Sequence, residues 1–302
     1  MTKSSLLALL LSLVVGGLSL PPRSGQAAGD AITQVLALKD ASLILEIDDK
    51  VRIAHLADQP MIPASTMKVV TALAAIQRWG LDHHFHTDVS TLDGWLWVEA
   101  GDPYLVSEEL DLLVAGLKSH GLRSVAGIGL DDGLFVPGLT IDGRSSSDNP
   151  YDAPVTALAI NFNALARVKG AGKVRSGEAQ TPLTALGGEI GVRLGSGKHR
   201  INLKDRETAL RYFGEMLTAK LETAGIAVKG PVRFGQVPAG AKSIYRHENS
   251  RNLREVLTSM LEYSNNFIAN YLFVMLGGKD GQRGLDMVKA QQAARKWVDK
   301  EF

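Results

Sequence analysis

The chain has 302 residues, with 33 Lys and Arg against 32 Asp and Glu, a net charge of +1, and no cysteine. A near-neutral chain without a basic stripe gives no indication of nucleic acid as a partner. The missing thiols exclude disulfides, thiolate metal sites and a cysteine nucleophile.

Residues 1–28 are expected to be a secretory signal. Lys3 supplies the positive start, Leu6 to Leu20 the apolar core, and Gly25-Gln26-Ala27 or Ala28 the small residues for cleavage. That apolar run is short for a membrane-spanning helix, and Pro21-Pro22 end it. Next, Gln34–Lys39 reads as a helix. Ser42–Ile47, the polar turn Asp48-Asp49-Lys50 and Val51–His55 read as a β-hairpin.

The hairpin feeds Pro63-Ala64-Ser65-Thr66-Met67-Lys68, which heads an apolar run. Val69–Trp79 carries a helical stripe at Val70, Leu73 and Ala74, a polar finish at Gln77-Arg78, and Gly80 as a stop. Positions i and i+3 share a helix face, so Lys68 can reach the Ser65 oxygen. A serine hydroxyl is a poor nucleophile at neutral pH and needs a base within reach. A desolvated lysine with a lowered pKa can serve. The helix N-terminus adds a positive field and a backbone N–H for a developing oxyanion. Ser-x-x-Lys alone is weak: about one match arises by chance in a chain of this size.

A mixed α and β region follows. Trp95–Glu99 reads as a strand ending at the turn Gly101-Asp102-Pro103. Ser107 is placed to cap a helix through Leu117, with Glu108 and Glu109 in its first turn. Val125–Leu130, Glu189–Leu194 (after Gly187-Gly188) and Val232–Gln236 read as strands. Gly170–Gly177 reads as a flexible loop, and Asp205–Thr223 as an amphipathic helix closed by Gly225. His83-His84-Phe85-His86 contains His-x-His without a third ligand of clear spacing, so a polar strand edge is the better reading. Gly195-Ser196-Gly197-Lys198 lacks the upstream glycine (Val192 stands there) and the hydroxyl (His199) of a phosphate loop. Asp102 reads as a turn former, and Asp131, Asp132 and Asp152 as loop carboxylates. No metal or cofactor is expected.

Ser-x-Asn occurs at Ser147-Asp148-Asn149, Ser250-Arg251-Asn252 and Ser264-Asn265-Asn266. The first lies in the polar run Gly143–Asn149. The second approaches a helix, where Ser250 or Asn252 could be a cap. The third separates two apolar helical stripes, Leu253, Val256, Leu257, Met260 and Phe267, Ile268, Tyr271, Leu272, Met275. Polar groups there have no packing reason, which favours a site.

Hairpin, Ser65-Thr66-Met67-Lys68 and Ser264-Asn265-Asn266 together resemble the penicillin-binding and serine β-lactamase site. Gly101-Asp102-Pro103-Tyr104-Leu105 and the run Tyr151–Asn163 (YDAPVTALAINFN) narrow the resemblance. From about residue 40 to 300 the chain is similar to the DacB-like D-Ala-D-Ala carboxypeptidase/endopeptidase group of penicillin-binding proteins, peptidase family S13. The resemblance implies an α/β fold: a transpeptidase/β-lactamase-like domain, its sheet flanked by helices, interrupted by an inserted mixed α+β domain. Catalytic parts would lie at 29–86 and 241–302, with the insertion at 87–240.

By the same resemblance, Ser65 is the nucleophile, Lys68 its base, Ser264 a proton relay, and Asn266 a holder of Lys68 and of the substrate amide. Peptidoglycan stem peptides and β-lactam antibiotics are the implied partners, the periplasm the implied location, and peripheral membrane association is left open. The group's third motif, Lys-[Thr/Ser]-Gly, is absent, since Lys279-Asp280-Gly281 lacks the hydroxyl. The resemblance therefore implies that the chain stops before the last catalytic strands and helix, and is weakly active and poorly stable alone. Two rival readings stand beside it. One is a non-catalytic peptide binder or fragment; the other is a β-lactamase-like or esterase-like hydrolase on the same dyad.

Overall fold

The computed structural model describes residues 25–279 and 281–301. Most of the expected signal segment, residues 1–24, lies outside the described residues, as does Asp280. The chain divides into two units, up to Ala64 and from Ser65 onward.

The first unit holds helix α1 (Gly25–Leu36) and the hairpin of β1 (Leu43–Ile47) and β2 (Lys50–His55). The helix begins and ends earlier than the expected Gln34–Lys39; Ala37 N–H to the Thr33 carbonyl and Leu38 N–H to that of Val35 close its last turn. Asp48 and Asp49 both adopt left-handed φ, 52° and 56°. That geometry matches the strand twist in two-residue hairpins, and aspartate tolerates it better than most residues.

The second unit begins with a 3-10 turn through Thr66 and helix α2 (Met67–Trp79), stopped by Gly80 at φ 79°. Then come β3 (His84–Leu92), β4 (Trp95–Ala100), α3 (Ser107–Ser119), β5 (Ser124–Val125) and β6 (Gly127–Asp131). These are followed by β7 (Ala164–Gly170), β8 (Lys173–Ser176), α4 (Ala185–Arg193), β9 (Gly197–Asn202) and α5 (Arg206–Thr223). The chain continues with β10 (Ala227–Val228), β11 (Val232–Phe234), β12 (Lys242–Asn252), α6 (Leu253–Glu262), α7 (Asn266–Leu276) and α8 (Met287–Glu301).

A five-stranded mixed sheet runs in the order β11-β6-β4-β3-β12. β3 pairs antiparallel with β4 and β12, while β6 pairs parallel with β4 and β11. Leu110, Leu113 and Leu117 of α3 and Phe213, Met216 and Leu217 of α5 share one core with Val98, Ile128 and Leu130 of the sheet. A second sheet has the order β8-β7-β9. A separate core joins Ala72 and Ala75 of α2 to Val256, Leu257 and Met260 of α6 and Ile268 and Leu272 of α7. That core fixes the two helices whose N-terminal ends carry the candidate site.

Three local expectations are corrected. Gly170–Gly177 is not a loop: β7 and β8 form a hairpin turned at Ala171 (φ 48°) and Gly172 (φ 73°). Glu189–Leu194 is not a strand but part of α4, which Thr184 caps by accepting from Gly187 N–H. Gly187 sits inside that helix because the buried Arg167 guanidinium lies against it, and a Cβ there would come within 1.8 Å of an Arg167 nitrogen. Ser107 is the first helical residue of α3, not its cap. Its N–H donates to Asn161 Oδ1 at 2.9 Å, and its hydroxyl pairs with that of Thr181 at 2.7 Å. The cap is supplied from a distant segment, so no local pattern announces it.

That segment has unusual backbone. Asn161, Phe162 and Asn163 take left-handed φ values of 53°, 61° and 51° in succession. Buried side-chain amides hold the turn in place: Asn161 on the α3 start, and Asn163 on the Pro154 carbonyl and Thr156 hydroxyl, both at 2.8 Å. Among the described residues, no helix is long and apolar enough to cross a membrane.

Candidate active site

Ser65 lies in the 3-10 turn that leads into α2, and Lys68 one turn on. The predicted i, i+3 contact is present: Lys68 Nζ is 3.0 Å from Ser65 Oγ. The same amine is 3.2 Å from Ser264 Oγ and 2.7 Å from Asn266 Oδ1. Ser264 Oγ in turn lies 3.0 Å from Ser65 Oγ, closing a triangle of two hydroxyls and one amine.

Lys68 is only 7% exposed, and its three oxygen neighbours are uncharged. Burial therefore lowers its pKa from the ordinary 10.5, because desolvation penalises the ammonium form. A lysine so placed can hold a proton taken from a serine and give it back.

The other two members come from the junction of α6 and α7. Asn252 and Glu255 form a capping box that starts α6, Asn252 Oδ1 accepting from Glu255 N–H and Glu255 from Asn252 N–H. α6 ends at Glu262, and Ser264 turns the chain with a left-handed φ of 49°. Asn265 then caps α7 by accepting from Ile268 N–H at 3.2 Å, leaving Asn266 as the first helical residue. The polar residues of this break thus divide their partners. Ser264 and Asn266 meet the amine, while Asn265 starts the helix. Asn266 Nδ2 also donates to the Tyr151 carbonyl at 3.3 Å.

Ser147 and Ser250 are placed elsewhere. Ser147 Oγ donates to the Asp152 carboxylate, and Ser250 Oγ to Glu109. Asp152 also accepts from Ser145 N–H and hydroxyl. Asp131 accepts from Gly133 N–H and the Arg283 guanidinium, and Asp132 from Leu158 N–H and Arg206. These carboxylates tie loops together. Within the histidine run, His84 Nδ1 meets the Asn249 carbonyl at 2.7 Å, and His86 Nε2 lies 3.4 Å from Asp88. Among the described residues, no group of three or more metal-ligating side chains is gathered.

Two groupings had no clear signal in the sequence. Buried Asp102 accepts from Tyr104 N–H and from Asn249 Nδ2, both at 2.8 Å. Burial pushes its carboxyl up to about 6, more than the two bonds pull it down. Nearby, buried Glu109 faces His247 Nε2 at 3.0 Å and Ser250 N–H at 3.0 Å. Burial alone would raise its pKa, but the bonds from His247 and Ser250 outweigh that and hold it below the usual range. Both carboxylates fasten β12 to the stretch 102–109. Tyr104 from that stretch walls a cleft of about 360 Å³, together with Tyr151, Phe162, Tyr263, Asn265 and Asn266. Asn266 thus belongs both to the wall of this cleft and to the group around the Lys68 amine.

Known proteins resemble the chain along most of its length. A D-alanyl-D-alanine carboxypeptidase of Actinomadura sp. (strain R39) is 27% identical over 282 residues, covering 75% of this chain and 51% of that protein. The chain therefore spans about half the length of this curated relative. The crystal structure of penicillin-binding protein 4 (dacB) from Haemophilus influenzae superposes with a TM-score of 0.69 at 21% identity, over 90% of this chain and 70% of that one. The same protein complexed with a β-lactam gives 0.64 at 21% identity, over 90% and 69%. At that identity the likeness shows a shared fold, an α/β arrangement of sheets flanked by helices. The model of the D-Ala-D-Ala carboxypeptidase 3 (S13) family matches residues 30–185 and 184–299, so the chain belongs to that family.

Proposed function

We propose that this chain carries the acyl-transfer site of a serine-type D-Ala-D-Ala carboxypeptidase/endopeptidase acting on peptidoglycan stem peptides, and that β-lactams acylate the same serine. The observation that carries the reading is the buried amine of Lys68 within 3.2 Å of Ser65, Ser264 and Asn266. The family and the carboxypeptidase relative support the substrate class. The β-lactam complex of the Haemophilus protein suggests the inhibitor class.

Neutral Lys68 takes the Ser65 proton as Oγ attacks the carbonyl of the D-Ala-D-Ala bond. The Ser65 N–H, in the turn leading into α2, donates to the resulting oxyanion. Collapse of the tetrahedral intermediate breaks the C–N bond. Ser264, in contact with both Ser65 Oγ and Lys68 Nζ, passes the proton to the departing amine. Water then hydrolyses the Ser65 ester, with Lys68 again as base. In this reading residues 29–86 and 241–302 form the catalytic part and 87–240 the inserted part. β3 spans the proposed start of the insertion and pairs with β12, Thr87 opposite His247 and Thr91 opposite Lys242. The periplasm, where the cross-linked peptides lie, is the compartment this substrate requires.

The test is labelling with a fluorescent penicillin, mapping of the acylated peptide, and assay of D-Ala release from a D-Ala-D-Ala peptide. Label on Ser65, lost in Ser65→Ala, is expected. Label persisting in Ser65→Ala would sink the assignment. Rapid β-lactam turnover without D-Ala release would favour a β-lactamase-like hydrolase instead.

A further inference from the structure

Asn266 offers two faces, an oxygen and an amide nitrogen, and the acyl-transfer site works only if the oxygen meets Lys68. The two ends of a primary amide are nearly the same size, so packing alone does not choose between them. Lys68 Nζ donates and so already favours the oxygen, and the group on the other side reinforces that choice. Asn266 Nδ2 faces the Tyr151 carbonyl at 3.3 Å. A carbonyl has no proton to give, so it accepts the nitrogen and repels the oxygen. With Nδ2 held there, Oδ1 is left to accept from Lys68 at 2.7 Å.

The Tyr151 carbonyl must itself be held, and its turn is exposed. The 3-10 turn Pro150–Asp152 is capped by Asn149, whose Oδ1 accepts from Tyr151 N–H at 3.0 Å. Beneath the turn lies Asn202, the last residue of β9, only 1% exposed. Its Nδ2 donates to the Ser147 carbonyl at 2.8 Å and to the Asn149 carbonyl at 2.7 Å, while its Oδ1 accepts from Lys204 N–H at 2.8 Å. Its backbone N–H donates to the Asp148 carbonyl at 3.1 Å. From the solvent side, Arg144 Nε donates to the Asp152 carbonyl at 2.6 Å. Both Nδ2 protons of Asn202 are therefore spent on carbonyls of one short loop. An aspartate, nearly the same shape, offers those carbonyls no donor.

We propose that Asn202 is a positioning residue for the acyl-transfer site: by clamping loop 147–149 it fixes the Tyr151 carbonyl, and that carbonyl, together with Lys68, holds the Asn266 amide in its orientation. Asn202 touches none of the reacting groups. Its effect passes through one loop and one hydrogen bond. The inference rests on the reading of Ser65, Lys68 and Asn266 as an acyl-transfer site, and it adds a control point that belongs to the three-stranded sheet.

The experiment uses the whole chain and two readouts. The first is solvent exchange of the Asn266 side-chain amide protons by NMR, which needs no catalysis and which a merely structural role for Asn202 would not move. The second is the rate of Ser65 acylation by a penicillin. In Asn202→Asp, exchange of the Asn266 amide should quicken about tenfold or more and acylation should slow about tenfold, the loss of roughly one hydrogen bond's worth of order. Unchanged Asn266 exchange in a folded Asn202→Asp protein would overturn the proposal. Should that variant fail to fold, Asn202→Ala removes the same two donors without setting a carboxylate against the loop carbonyls. It should move both readouts in the same direction by a smaller factor, and no movement there overturns the proposal equally. Quickened exchange in a protein whose wild type is never acylated would uphold the orientation role while refuting the acyl-transfer reading.

Discussion

Lys68 loses its water in the fold and receives three neutral oxygens in exchange. A lowered lysine pKa means that its proton-accepting form gains population below the ordinary 10.5. Acylation should therefore rise with pH along a limb lying below that value and plateau above it; Lys68→Met should abolish the limb and cost about 10²–10⁴ in labelling rate. Ser264 holds a left-handed backbone that a glycine adopts without strain. Ser264→Gly should unfold at a denaturant concentration no lower than wild type while losing acylation, separating stability from activity. Asp102 gives the opposite pH signature to most carboxylates. Its folded pKa, about 6, lies above the ordinary 3.8, so the folded state binds the extra proton between these values. Its contribution is present below pH 3.8 and is lost as pH rises through about 6, of the order of 3 kcal/mol in total. Stability of Asp102→Asn minus that of wild type should increase across this window in urea titrations at successive pH values. A flat difference would refute the buried, proton-binding carboxyl. Ser65 and Lys68 were legible because one helical turn joins them. Ser264 and Asn266 were legible as polar groups between apolar stripes. The Tyr151 carbonyl was not legible, since every residue carries one.

Elements whose start and stop are written locally were readable: α2 with Gly80, the β1–β2 hairpin with its two aspartates, α5 with Asp205 as cap. Those governed by distant partners were not. α4 looked like a strand after a glycine turn, because nothing near Gly187 in sequence shows that Arg167 occupies the space a side chain would need. α3 takes its cap from Asn161, 54 residues away. The capping box of α6 is local, and it bears on the site because α6 delivers Ser264. Asn252→Ala should cost about 1 kcal/mol in chemical denaturation. The acylation rate of the folded protein should remain unchanged. A rate loss far exceeding the stability loss would show that α6 shifts when uncapped.

At the scale of the whole molecule, the site is a long-range object. Ser65 and Ser264 are 199 residues apart in sequence, yet their hydroxyls lie 3.0 Å from each other. Between them runs the five-stranded sheet, whose strand order no local pattern reveals. β12 lies beside β3 only because the chain returns after the mixed region. Contacts of such separation form late, once loop-closure entropy has been overcome. Penicillin labelling should therefore vanish at the same urea concentration as the far-ultraviolet signal of the unit from Ser65 onward. Labelling that survives beyond that midpoint would mean that α2 and α7 hold the site without the sheet.

The left-handed triplet Asn161-Phe162-Asn163 also divides the chain's tolerance for change. Asn161 and Asn163 each combine a backbone that asparagine accepts with a buried amide that other segments need, so selection has almost no neutral moves at either position. Phe162 differs. Its backbone bears a cost of about 1–2 kcal/mol, but its ring packs against two cores and stands edge-on to Tyr104 at 5.1 Å, and losing such a packed aromatic costs about 3–5 kcal/mol. A library randomised at this one codon should therefore keep aromatics whether survivors are chosen by heat resistance or by turnover, with glycine depleted under both screens.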